Sequence, residues 1–207
     1  MLHIHQRLRL YQFFADLFAN PGPELMQKLS GGEVSAVSDL LGIEAPLESG
    51  SEMSMENLSE LYTGLFVARM GGVPAPLYGS VYLDAGLLMG PSTGRIAELY
   101  RQQGLVFEDA TEPADFLATE LEFLFFLVGR EEAGFKQRDL AAARAATAGQ
   151  LEFLNGELLP WLEQFVERLA KVEEKTLYHW GAQALLLFCR QERDWLSRLP
   201  QSPALVV

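Results

Sequence analysis

The sequence holds a single cysteine, Cys189, in 207 residues. That excludes an internal disulfide, a cysteine-rich zinc site and an iron–sulfur cluster held by this chain's thiolates alone. Basic charge is scarce as well: 16 Lys and Arg stand against 28 Asp and Glu, a net charge of −12. Nucleic-acid affinity comes mainly from Lys and Arg contacts to phosphate, so this balance argues against such a ligand. It also disfavours anionic membrane surfaces and favours basic partners. No apolar run approaches the ~20 residues of a membrane span. Met1 to Asn20 carries His3, His5, Arg7, Arg9 and Asp16 among its apolar residues and lacks the pattern of a signal peptide. A cytoplasmic protein is expected.

Other absences are of motif. Alternating β-branched runs and Asn-Gly hairpin turns between apolar runs are nearly missing, which removes a sheet from consideration. There is no Gly-x-x-x-x-Gly-Lys-Ser/Thr loop and no Gly-x-Gly-x-x-Gly after a strand. Gly90-Pro-Ser-Thr-Gly94 places its serine off the centre that a nucleophile elbow requires. His3 and His5 supply two metal ligands without a third. These omissions argue against an enzyme.

What is present is helical periodicity. Leu10, Phe13, Phe14, Leu17 and Phe18 form one stripe of a first helix over about residues 6–19, stopped by Asn20-Pro21-Gly22-Pro23. Short helices are expected near 24–29 and 34–41, and another over 56–68 with Leu58, Leu61, Tyr62, Leu65 and Phe66 inward. Val81-Tyr82-Leu83 reads as a brief extended piece. Gly90 to Gly94 opens a helix that runs to about Gln103, with Ser92 or Thr93 as its cap. The central helix spans 112–128: Pro113 suits a first turn, and Leu117, Leu121, Leu124 and Val128 keep helical spacing. Gly129 to Gly134 reads as a turn. A long helix follows over 137–153, using Leu140, Ala141, Ala145, Ala148 and Leu151, then a break at Asn155-Gly156 and a restart at Leu159-Pro160-Trp161. A last helix covers 173–199, with a frayed tail from Pro200. The expectation is one all-α domain over 1–207, of about nine or ten helices. Its helical blocks 1–103 and 112–199 meet at a hinge over 104–111.

Carboxylates cluster at the start of the central helix: Glu112, Asp115, Glu120 and Glu122. A glycosidase needs two carboxyl groups facing across a cleft, and one helix does not provide that. Two readings stay open: Glu112 and Asp115 cap the helix with Glu120 and Glu122 at the edge of its buried face, or the group binds a cationic partner. Ser92 and Thr93 lie where a helix N-terminus could receive an anion. His179, between Tyr178 and Trp180, reads as a core or interface histidine.

Three stretches, taken in order, carry a resemblance: Tyr62-Thr-Gly-Leu65-Phe66-Val67; Pro74-Ala-Pro76-Leu-Tyr78-Gly-Ser80-Val81-Tyr82-Leu83-Asp84; and Glu112-Pro113-Ala-Asp115. Together they resemble the TorD/DmsD/NarJ family of maturation chaperones for molybdenum-containing oxidoreductases, on its DmsD/TorD-like branch. Gly90-Pro-Ser-Thr93, Phe153-Leu154, Leu159-Pro160-Trp161, Phe165 and Tyr178 extend the resemblance along nearly the whole chain.

The resemblance implies an all-helical, cytoplasmic non-enzyme with no cofactor of its own. Its partner would be the precursor catalytic subunit of a molybdopterin oxidoreductase, bound through the twin-arginine leader, the body, or both. Export would wait until the cofactor is inserted, with the Tat and cofactor-synthesis machinery as further partners. Relatives occur as monomers or as dimers swapped through the hinge. The implied leader site is Glu112, Pro113, Asp115, Phe116 and Glu120, with Leu65, Phe66, Tyr78 and Tyr82 for apolar contact. The family's Glu-Pro-x-Asp-His is broken here by Phe116, whose ring neither donates a hydrogen bond nor titrates. Tyr78 and Tyr82 stand where DmsD-like relatives carry Trp, and Glu157 where many carry His. Two rival readings are a GTP-binding or GTP-hydrolysing helical protein, resting on Gly90 to Gly94, and a general helical adaptor for folded partners.

Overall fold

A computed structural model describes residues 2–46, 53–105 and 112–199. Helices account for its regular structure, ten of them among the described residues, one only five residues long. They are α1 (Ile4–Phe18), α2 (Pro23–Ser30), α3 (Glu33–Leu41), α4 (Met55–Tyr62), α5 (Gly79–Leu83), α6 (Pro91–Gln102), α7 (Leu117–Gln137), α8 (Leu140–Phe153), α9 (Leu159–Leu169) and α10 (Leu177–Leu196). The extended pairing is one isolated antiparallel bridge, Tyr78 with Phe116. The hinge expected over 104–111 falls outside the described residues from 106 onward, as does the tail from Pro200.

The α1 stripe is buried as its spacing predicts, and α1 lies along α7. α7 lies along α8 as well, which makes it the axis of the molecule; α10 closes over α1, α8 and α9. The core is rich in rings, with Phe18, Phe66, Phe165 and Tyr178 meeting edge-on or tilted at centroid separations of 5.0–6.3 Å. Such contacts add modestly to the gain from burying their area.

Several boundaries differ from expectation for identifiable reasons. The helix over 56–68 is α4 plus a π-helical turn, Thr63–Val67, that carries Leu65 and Phe66 inward. Val81 to Leu83 is helical, because Asp115 supplies an acceptor at the start of α5. The central helix begins at Leu117, since Pro113 to Phe116 form a turn, closed by Phe116 N–H donating to the Pro113 carbonyl at 3.0 Å, that is bonded to residues 77 and 79. It continues through Gly129 and Gly134 and ends at Arg138, whose φ of 59° is left-handed. Gly134 serves packing: a Cβ there would lie 2.7 Å from the Ala143 amide nitrogen of α8.

The buried face of α8 is Ala143, Ala146, Thr147, Gln150 and Phe153, and Leu140 points to solvent. Asn155-Gly156 falls in a second π-helical turn, Leu154–Leu158, which passes into α9 without a break. The last helix is shorter than 173–199, starting after Thr176, whose side chain and that of His179 form a reciprocal cap. His179 is buried, its Nε2 3.0 Å from the Leu169 carbonyl oxygen, which is a structural role.

A buried polar cluster crosses this core. The Arg7 guanidinium donates from Nε to Glu192 (2.5 Å), from Nη1 to Glu131 (2.8 Å) and from Nη2 to Gln150. The Gln150 amide in turn donates to Glu131 at 2.9 Å, and the Trp195 ring lies 4.5 Å from Arg7 Cζ. Burial works against the Arg7 charge, but Glu192 and Glu131 overcome it and hold its pKa above the ordinary value. One side chain thereby joins α1, α7, α8 and α10.

Candidate functional site

The two Pro-containing stretches singled out in the sequence meet in space. Gly79 N–H donates to the Asp115 carbonyl oxygen, and Leu117 N–H to that of Leu77, both at 2.9 Å. Pro113 and Pro76 have no N–H to give, which favours short non-helical segments at both places. The Tyr78 and Phe116 rings meet across this bridge at a tilt of 38°, their centroids 5.5 Å apart. Tyr100 fastens the segment from behind, donating its hydroxyl to the Ala114 carbonyl at 2.9 Å.

The candidate residues divide by burial. Glu112, Pro113, Tyr78 and Tyr82 are half-buried and reach the surface; Leu65, Phe66, Asp115, Phe116 and Glu120 are buried. Glu112 is held by the Tyr78 hydroxyl, which donates to Oε2 at 2.9 Å. Burial, and then that bond, push the Tyr78 pKa up to about 12, so the hydroxyl remains a donor at neutral pH. Tyr82 donates to the Pro76 carbonyl at 2.9 Å and stacks on Trp161 at 5.6 Å.

The carboxylates do not line one helix. Asp115 lies ahead of α7, and the N-cap position is Phe116, so neither Glu112 nor Asp115 caps that helix. Asp115 instead accepts from Ser80 N–H at 2.8 Å, at the start of α5. Glu120 is not at the edge of the buried face but fully inside it, where Trp161 Nε1–H donates to Oε2 at 3.2 Å. Glu122 is exposed. The second oxygens, Asp115 Oδ1 and Glu120 Oε1, are buried without a hydrogen-bond partner among the described residues. Burial pushes the Glu120 carboxyl well above the usual carboxylate range; the Trp161 bond opposes this, and Asp115 and Glu157 add to it.

Sequence reasoning missed three participants. Trp161 packs so closely on α5 that a Cβ at Gly79 would lie 2.9 Å from its Nε1. Glu157, on the second π turn, takes a two-pronged ion pair from Arg95 of α6, Nε to Oε1 and Nη2 to Oε2 both at 2.9 Å. Asp84 closes the start of α6: its Oδ2 accepts from Ser92 N–H at 2.9 Å and from Ser92 Oγ at 2.6 Å. The N-cap of α6 is therefore Gly90, with neither Ser92 nor Thr93 in that position. A signal for Asp84 existed, an acid closely preceding a Gly-Pro-Ser helix start; Trp161 and Glu157 depend on contacts distant in sequence.

Comparison with known proteins bears on this arrangement. A family model described as nitrate reductase delta subunit matches residues 33–167, which includes both bridge segments and Trp161. The chain belongs to that family. The TorD chaperone of Vibrio parahaemolyticus is 28% identical over 210 residues, covering 92% of this chain and 94% of that protein. The TorD chaperone of Vibrio cholerae is 34% identical over 125 residues, 60% of this chain; the chain spans 56% of that relative's length. A solved structure of a proposed redox enzyme maturation protein from Archaeoglobus fulgidus has the same fold, with TM-score 0.52, 24% identity and 96% coverage of both chains. The family resemblance drawn from Tyr62–Val67, Pro74–Asp84 and Glu112–Asp115 is the correct one. The relatives with a curated name are chaperones, which supports a non-enzyme. Among the described residues no helix is long and apolar enough to cross a membrane.

Proposed function

We propose that the protein is a maturation chaperone for the catalytic subunit of a molybdopterin oxidoreductase. It binds that subunit through its twin-arginine leader, its body, or both, in the cytoplasm. By doing so it aids cofactor insertion and delays export until maturation is complete. The observation that carries this reading is the Tyr78–Phe116 bridge, which joins the two family stretches and fixes a surface carboxylate, Glu112, on a tyrosine donor. A leader arginine suits that carboxylate because a guanidinium pairs with it through two parallel hydrogen bonds. The net charge of −12 favours the approach of a basic peptide.

Within this reading the candidate residues take different parts. Glu112, Pro113, Tyr78 and Tyr82 meet the leader directly. Asp115 and Glu120 act from beneath, by holding α5 and Trp161. Leu65, Phe66 and Phe116 support the site from the core. The rival reading at Ser92 and Thr93 finds little support, since Asp84 already supplies an anion to that helix start and would repel a nucleotide phosphate.

The test is calorimetric titration with a panel of synthetic twin-arginine leaders, each paired with a double-lysine control. Micromolar affinity for one leader, weakened in its control, is the expected result. Glu112→Lys should weaken that affinity at least about tenfold, worth about 1.4 kcal/mol, while leaving the thermal melt unchanged. Absence of binding to every leader, with capture of the mature subunit instead, would replace leader recognition by body recognition.

A further inference from the structure

Leu65, Phe66 and Phe116 are enclosed in the core, so the apolar part of a leader needs another surface. One is joined to the site by hydrogen bonds. Between α5 and α6 the chain presents Leu87, Leu88 and Met89 in succession, 58%, 53% and 66% exposed. The turn that carries them is tied down. Gly86 N–H donates to the Val81 carbonyl, and Leu87 N–H to that of Asp84, both at 3.1 Å. Met89 N–H donates to Ser80 Oγ, also at 3.1 Å. Ser80 is the residue whose own N–H is held by Asp115, so two hydrogen bonds connect the turn to the bridge.

Ala85 and Met89 also hold left-handed φ values of 55° and 56°, a conformation that non-glycine residues avoid. Neither the backbone strain nor three apolar side chains in water contribute to this chain's own core. Both are accounted for if the turn is built to receive an apolar ligand. Charge complementarity specifies which one. An acidic molecule with a surface carboxylate at Glu112 draws a ligand that is basic at one end, and this turn then meets the apolar part.

We infer that the Leu87–Leu88–Met89 turn is the docking surface for the apolar segment that follows the arginine pair of a leader. The inference rests on the leader reading given above. Its test uses two synthetic peptides: paired arginines followed by about ten leucines and alanines, and the same peptide with serine and glycine in that stretch. The variant is Leu87→Ser with Leu88→Ser; both side chains are exposed, and an unchanged thermal melt establishes that it folds.

The expected result is that the native protein prefers the apolar peptide by about tenfold or more, and that the variant binds both peptides with the weaker affinity. A variant that keeps the native preference overturns the inference and leaves the leader reading standing; so does a native protein that binds both peptides alike. A native protein that binds neither removes the leader reading and this inference with it. If sedimentation shows a dimer that the two serines convert to monomer, with peptide affinities unmoved, the turn joins copies of the chain and the inference falls.

Discussion

Glu120 brings the energetics of the site down to one carboxyl group. It is fully buried, receives one N–H from Trp161 and leaves Oε1 unmatched. Its folded pKa is raised by burial, whereas unfolded it titrates near the ordinary 4.5. Between those values the folded state holds the extra proton. The contribution of Glu120 is therefore fully present in acid and is lost as pH climbs from 4.5 through the raised folded pKa. Glu120→Gln keeps an acceptor for Trp161 and removes the titration. Urea unfolding of both proteins across this range should give similar stabilities at the acidic end. At pH 8 the variant should lead by on the order of 1 kcal/mol, and parallel curves throughout would refute the assignment. Asp115 makes a second case. Asp115→Ala removes the acceptor of Ser80 N–H and should cost about 1 kcal/mol in the same assay, while Asp115→Asn retains most of that bond.

At the scale of elements, what could be read from the sequence depended on contrast. The α1 stripe was legible because Leu10, Phe13, Phe14 and Leu17 alternate with polar neighbours. The face of α8 was not, because alanines surround that helix and give it no apolar side to recognise. Its orientation is set by Gln150, drawn inward by Arg7, and by the close approach of Ala143 to Gly134. Gly134 looked like a turn residue for the same reason: the partner that needs it lies on the next helix. Gly134→Ala should force α7 and α8 apart and cost about 1–3 kcal/mol in a denaturant titration, in spite of alanine's higher helix propensity. In the candidate site, the carboxylates stood out by their grouping over 112–122, whereas Tyr78 and Tyr82 were named only through the family resemblance. The buried position of Glu120, the part played by Trp161 and the capping of α5 by Asp115 arise from contacts between distant segments, which local spacing does not encode.

At the scale of the whole molecule, the proposed function makes acidity the means of attracting a basic leader, while the Arg7 cluster ties four helices together. Screening of a net charge of −12 should weaken leader binding about tenfold as salt rises from ~50 to ~500 mM, an effect smaller in the Glu112→Lys variant. Arg7→Met would leave Glu131 and Glu192 buried without their cation and should cost about 3–5 kcal/mol. The cluster also imposes an order in time. Arg7 is made well before its acceptors, which lie 124, 143 and 185 positions later in the chain. At about 5–20 residues per second, the longest of these intervals is roughly 10–40 s. Until then Arg7 has Glu131 and Gln150 but not Glu192, so the cluster closes only when α10 has emerged. Ribosome-bound chains that stop short of Glu192 should therefore be cut by protease within α1 faster than the released protein.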